Sequence, residues 1–137
     1  MQYHSEFLVI DDDEINNYLC KSVIKKVTGN ENVQTFTSPE LGIEYVEQTF
    51  NEEPRGRRAM ILLDLNMPNL SGWEVLKRFE KFSDRIKEKC NIFILTSSID
   101  RSDKEKERAN EFTHGYIEKP LTPEKISSLL SFLYASA

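Results

Sequence analysis

Cysteine, histidine, basic charge and long apolar runs are all scarce in this chain, and each scarcity closes off a class of function. Of its 137 residues only two are cysteines, Cys20 and Cys90, far apart, outside any CxxC spacing and with no histidine beside them. Thiolate metal sites and thiol redox chemistry have no support, and both are expected to be buried or partly buried free thiols. The two histidines, His4 and His114, fall in no catalytic spacing and are given no catalytic role. Lysine and arginine total 18 against 23 acidic residues, a net charge of −5, and no basic stretch is interleaved with aromatics. Direct nucleic-acid binding is therefore not expected. No apolar run approaches the roughly 18 residues of a membrane span, and the first six residues lack the hydrophobic region of a signal peptide. A soluble, cytoplasmic protein with no membrane role is expected. Repeats, low-complexity tracts and long linkers are missing too, so residues 1–137 are expected to form one domain with one core and no attached output domain.

What is present is an alternation. Phe7 to Ile10 is a continuous apolar run that leads straight into Asp11, Asp12, Asp13 and Glu14. Ile15, Leu19, Val23 and Val27 then recur every four residues, which predicts one apolar helix face, stopped by Thr28-Gly29-Asn30. Val33 to Phe36 alternates more and is expected at the sheet's outside. Ser38-Pro39 reads as an N-cap with proline at the first helical position, followed by a helix with Leu41, Tyr45 and Val46 inward. The stretch from Asn51 to Arg58 is polar and broken by Pro54 and Gly56, so a loop is expected there. A second continuous apolar run, Ile61 to Leu63, ends at Asp64. Pro68 disfavours helix at Met67, and Ser71 with Glu74 forms a capping box, so the next helix begins near Gly72 and carries Trp73, Leu76, Phe79 and Phe82. A short further helix can run through Ile86. Ile92 to Leu95 is a third apolar run, ending at Thr96-Ser97-Ser98. Asp100 to Glu111 is predicted helical but is charged nearly all round, hence weakly held. Gly115 to Glu118 is a short strand before Lys119-Pro120, and Thr122-Pro123 opens a last helix with Ile126, Leu129, Leu130 and Leu133 inward. Five strands alternating with five helices imply an α/β fold, a doubly wound parallel sheet covered on both faces.

In a parallel sheet the strands' carboxyl ends share one rim, where open α/β folds bind ligands. That rim collects Asp11 and Asp12, Asp64 and Asn66, Thr96 and Ser97, and Lys119. Three carboxylates in one crevice repel unless a cation sits among them. Oxygen ligands without His or Cys suit Mg²⁺, which keeps waters or phosphate oxygens as its remaining ligands. A lysine and a hydroxyl complete a receptor for a phosphoryl group, and Asp64 is the candidate nucleophile, able to carry it as an aspartyl phosphate. Asp13 is an additional acid whose expected role is to cap the first helix.

The segments LVIDDDE, LLDLNMPNLSG, FILTSS and YIEKP, in that order, resemble the receiver domain of bacterial two-component response regulators, of the stand-alone, chemotaxis-regulator (CheY-like) type. The resemblance covers essentially the whole chain. It implies a flavodoxin-like sheet of order 2-1-3-4-5, with Asp64 as phosphoacceptor and Asp11, Asp12, Asp64 and the Asn66 backbone carbonyl holding Mg²⁺. It also implies Thr96 and Lys119 as the phosphoryl-sensing pair, Tyr116 as an aromatic switch, and a cis peptide between Lys119 and Pro120. The implied partners are a sensor histidine kinase and, through the face of the fourth helix, fifth strand and last helix, a downstream protein target. A histidine phosphotransfer protein is the alternative partner, for a phosphorelay intermediate; the oligomeric state stays open. Such a domain promotes its own phosphorylation and dephosphorylation but is not a conventional enzyme. A Mg²⁺-dependent phosphohydrolase of the haloacid dehalogenase type is disfavoured because Asn66 stands where those enzymes use an acid. A nucleotide or flavin binder is disfavoured because no Gly-rich loop follows the first strand.

Overall fold

The three central strands of this sheet owe their place to apolar runs that have no polar side. The computed structural model describes residues 4–51, 57–68, 70–97, 105 and 113–135. Among these are strands β1 (Glu6–Ile10), β2 (Val33–Phe36), β3 (Ala59–Asp64), β4 (Cys90–Thr96) and β5 (Thr113–Glu118). The helices are α1 (Glu14–Thr28), α2 (Pro39–Asn51), α3 (Gly72–Glu80), the short α4 (Asp84–Lys87) and α5 (Pro123–Ala135). All neighbouring strands pair in parallel, in the order β2-β1-β3-β4-β5. Alternate residues of each central strand enter opposite layers. Leu8, Ile10, Ile61, Leu63, Ile92 and Ile94 pack with Val46, Phe50, Leu76, Phe79 and Ile86. Phe7, Val9, Met60, Leu62, Phe93 and Leu95 pack with Cys20, Ile24, Ile126 and Leu130. Two apolar faces on one sheet require helices on both, which is why the strands read as unbroken hydrophobic runs.

The local signals for helix ends behave as expected. Asp13 accepts hydrogen bonds from the Ile15 and Asn16 backbone amides, Ser71 accepts one from the Glu74 amide, and Gly29 closes α1 at φ 70°. Cys20 and Cys90 are buried free thiols, both pushed up to about 12, by burial first. The helix expected over Asp100 to Glu111 lies outside the described residues except for Glu105, as do residues 52–56 of the expected loop.

Two helix faces differ from expectation. On α1 the buried positions are Asn17, Cys20 and Ile24, while Ile15 and Leu19 are exposed; Val23 and Val27 pack at the margin. A step of four residues advances about 40° past a full turn, so a four-residue series sweeps around the helix instead of marking one stripe. On α2, Leu41 is exposed and Gly42, Ile43, Val46 and Phe50 face the sheet. Gly42 sits there because a Cβ would come within 2.8 Å of Ile10 Cδ1.

At the opposite end of the sheet from the acidic rim, β1 begins one residue earlier than expected, with a fully buried Glu6. Its carboxylate accepts a 2.6 Å hydrogen bond from Tyr45 and pairs with the Arg57 guanidinium. His4 and His114 also have structural partners there: Asn91 Oδ1 lies 2.7 Å from His4 Nε2, and Asn91 Nδ2 lies 3.0 Å from His114 Nε2. Burial lowers both imidazole pKa values, which keeps the pair neutral at pH 7.

Candidate functional site

Parallel pairing carries the ends of β1, β3, β4 and β5 to a common rim, and the side chains just past those ends meet. Asp64 is the last residue of β3 and Thr96 the last of β4, and both are buried. The Lys119 amide donates to the Thr96 carbonyl at 2.7 Å, which fixes where the lysine side chain starts. From there Lys119 Nζ reaches Asp11 Oδ2 at 2.7 Å and Asp64 Oδ1 at 3.5 Å. Carboxylate oxygens of Asp11, Asp12 and Asp64 all lie within 4.8 Å of one another, with Asp12 facing solvent.

These distances set the electrostatics. Burial and the neighbouring Asp11 carboxylate push Asp64 up to about 6, against the opposing pull of Lys119 and the Asn66 backbone N–H. Burial works against the charge on Lys119, but its hydrogen bond to Asp11 and the fields of Asp11 and Asp64 outweigh it and hold the ammonium pKa above normal. Acidic groups outnumber the ammonium, so the pocket keeps a residual negative charge. All-oxygen donors with residual negative charge suit a small hard divalent ion, and Asp11, Asp12 and Asp64 could hold Mg²⁺.

Of the residues singled out in the sequence, Asp11, Asp12, Asp64, Thr96 and Lys119 converge. Asn66 is exposed at the lip, Ser97 is exposed beside Thr96, and Ser98 lies outside the described residues. Tyr116 stands apart from the pocket, on edge strand β5 opposite Ile94 and partly exposed. The Lys119-Pro120 peptide is cis.

Three residues of the site had no chemical signal in the sequence. Asn16 donates from Nδ2 to Asp11 Oδ2 at 2.7 Å, and Asn17 donates from Nδ2 to the Asp11 carbonyl at 2.9 Å. Two asparagines just after an N-cap look like ordinary first-turn residues. Gly72 is the third: its amide donates to the Leu65 carbonyl at 2.9 Å, and a Cβ there would lie 2.5 Å from the Asp64 carbonyl oxygen and 2.8 Å from Leu65 Cα. Both obstacles are backbone, so neither can swing aside. Gly72→Ala is expected to cost about 2 kcal/mol of stability by overpacking and to weaken Mg²⁺ binding by displacing Asp64. Urea denaturation and a Mg²⁺ titration check both, and an unchanged denaturation midpoint would show that the loop relaxes freely.

Comparison with known proteins agrees with this fold. The sequence profile of the response regulator receiver domain matches residues 7–131. A two-component response regulator of Arabidopsis thaliana, ARR22, is 28% identical over 127 residues, spanning 93% of this chain and 82% of that protein. A two-component response regulator from Cytophaga hutchinsonii superposes with a TM-score of 0.79 at 30% identity, covering 95% of this chain and 96% of the other. A response regulator receiver protein from Dyadobacter fermentans shares the fold with a TM-score of 0.83 at 24% identity, covering 94% and 97%.

Proposed function

Because the chain belongs to the response regulator receiver domain family, we propose that it takes a phosphoryl group from a histidine kinase onto Asp64 and thereby switches a protein-binding face. The observation that carries this reading is the convergence of Asp64, Lys119 and the Asp11–Asp12 pair in one pocket beside buried Thr96. An Asp64 carboxylate oxygen attacks the phosphorus, the phosphorus–nitrogen bond to the donor imidazole breaks, and the imidazole, already protonated on its other ring nitrogen, leaves as the neutral ring with the electron pair of the broken bond. Asp11, Asp12, Asp64 and the Asn66 carbonyl would hold Mg²⁺, whose charge offsets that of the phosphoryl oxygens. Lys119 then shifts its ion pair from the carboxylates to the phosphoryl group, and the Thr96 hydroxyl donates to a second phosphoryl oxygen.

The consequence is felt on β5, since Thr96 pairs with Glu118 and Lys119 is hydrogen-bonded to Thr96. Tyr116, two residues before Glu118, changes position as Thr96 moves. Beside it a groove of about 520 Å³, lined in part by Ile117, Leu129 and exposed Phe132, runs between β5 and α5. That groove belongs to the face proposed to engage a downstream target or, in a relay, a histidine phosphotransfer protein.

The test is incubation with acetyl phosphate and Mg²⁺ while intact mass is followed. A gain of one phosphoryl group, lost in Asp64→Asn and on chelation of the metal, is the expected result. No gain with donor and metal both present would overturn the assignment.

A further inference from the structure

We infer that Asn16 is a positioning residue for Mg²⁺ binding, holding the Asp11 carboxylate in place independently of where Lys119 points. This rests on the phosphoacceptor reading of the pocket.

Asp11 is almost wholly buried, at 1% exposure, and its two oxygens are held differently. Oδ1 accepts the Asp13 backbone N–H at 2.9 Å, a contact built into the turn that starts α1. Oδ2 accepts two donors, Lys119 Nζ and Asn16 Nδ2, each at 2.7 Å. If Lys119 leaves, Oδ2 loses a charge-assisted bond in a place with little access to water, and a buried charge left short of donors is costly. Asn16 is the side chain that still holds that oxygen. It is well placed to do so, because its own backbone N–H is tied to the capping carboxylate of Asp13 at 3.3 Å. The anchor is therefore the first turn of α1, which does not depend on where Lys119 points.

The chemistry of the position also selects an amide. A cation here would repel a divalent ion bound a few ångströms away, and a carboxylate would repel Asp11. A neutral donor fixes the plane of Asp11 while leaving its negative charge for the metal, as the hydrogen-bonding partners behind metal ligands commonly do.

Asn16→Leu keeps the approximate size and removes the donor; Asn16→Ser is the smaller second variant should the leucine disturb α1. The first measurement is calorimetric titration of the metal-free chain with Mg²⁺. The dissociation constant is expected to rise about 10-fold, at the lower end of what losing such a partner costs. The second is the Mg²⁺ dependence of phosphorylation by acetyl phosphate. The half-saturating Mg²⁺ concentration should rise by the same factor, with the rate at saturating Mg²⁺ within about twofold of wild type. A merely structural role would lower the saturating rate and the melting temperature of the metal-free protein instead. Unchanged Mg²⁺ affinity in a folded variant overturns the inference while leaving the phosphoacceptor reading intact. Failure of the wild type itself to bind Mg²⁺ or gain a phosphoryl group would overturn that reading first.

Discussion

Asp64→Asn is expected to make the metal-free protein more stable at neutral pH, by about 2 kcal/mol, while abolishing its capacity to carry a phosphoryl group. Asp64 is buried at 5% exposure, and burial and the Asp11 carboxylate raise its pKa from the ordinary carboxylate value to about 6. A folded state that binds the proton more tightly than the unfolded chain, where the value is about 3.9, loses stability as pH rises from about 4 to about 6. Above that window the full penalty is present. About two pKa units correspond to about 3 kcal/mol with the pull of the Lys119 ammonium 3.5 Å away already included, and the gain is smaller because the buried asparagine amide needs hydrogen-bond partners of its own. Asparagine has the same shape without the charge. Melting curves in a chelator at pH 7 should favour the variant, with the gap closing toward pH 4. Adding Mg²⁺ should reverse the order, because a ligand that binds the native state stabilises the chain that binds it better. The depressed pKa values of His4 and His114 act in the opposite direction, costing stability as pH falls below about 6.5. They are common to both proteins and cancel in the difference. A variant less stable than wild type at pH 7 would show that Lys119 already compensates the buried charge in full.

The second large effect has the opposite sign. Lys119→Ala removes the ammonium that bridges Asp11 Oδ2 and Asp64 Oδ1 at 2.7 and 3.5 Å. Two buried carboxylates are then left facing each other, and the metal-free protein is expected to lose about 2 kcal/mol at pH 7. Breaking a buried pair can cost more, about 3 to 5 kcal/mol, but Asp64 can take up a proton and limit the loss. The same change removes a cation from beside the metal site, so Mg²⁺ should raise the melting temperature of Lys119→Ala more than that of the wild type. The double variant Asp64→Asn with Lys119→Ala should recover most of the lost stability, because the repulsion that the lysine suppressed is gone. Since Asp64 is the residue proposed to form the bond to phosphorus, Lys119→Ala should still gain a phosphoryl group. Mg²⁺ binding that weakens in Lys119→Ala would show that the lysine organises the carboxylates for the metal instead of occupying their field.

The legible parts of this protein were those where a residue's neighbours along the chain also determine its surroundings in space. Phe7 to Ile10, Ile61 to Leu63 and Ile92 to Leu95 could be read as central strands because a strand buried on both faces leaves no polar alternation. Asp13, Ser71 and Gly29 could be read as helix boundaries because capping is a contact between residues two to four apart. Once the strands were parallel, the convergence of Asp11, Asp12, Asp64, Thr96 and Lys119 followed, since each lies at or just past a strand's carboxyl end.

What only the tertiary structure decided is how each element is turned about its own axis and which distant groups it meets. The rotation of α1 put Asn17, Cys20 and Ile24 against the sheet and left Ile15 and Leu19 in solvent, because the sheet selects one stripe of a helix that is apolar over a wide arc. Glu6 is buried because Tyr45 and Arg57, 39 and 51 residues away, supply its partners, and His4 and His114 are joined through Asn91. Asn16 shares one oxygen of Asp11 with Lys119, and the lysine arrives at that oxygen from a strand at the far edge of the sheet. Sequence patterns record apolar burial because it requires no particular partner; hydrogen bonds and ion pairs are directional and short, so they exist only where the folded backbone brings both groups to the same few ångströms.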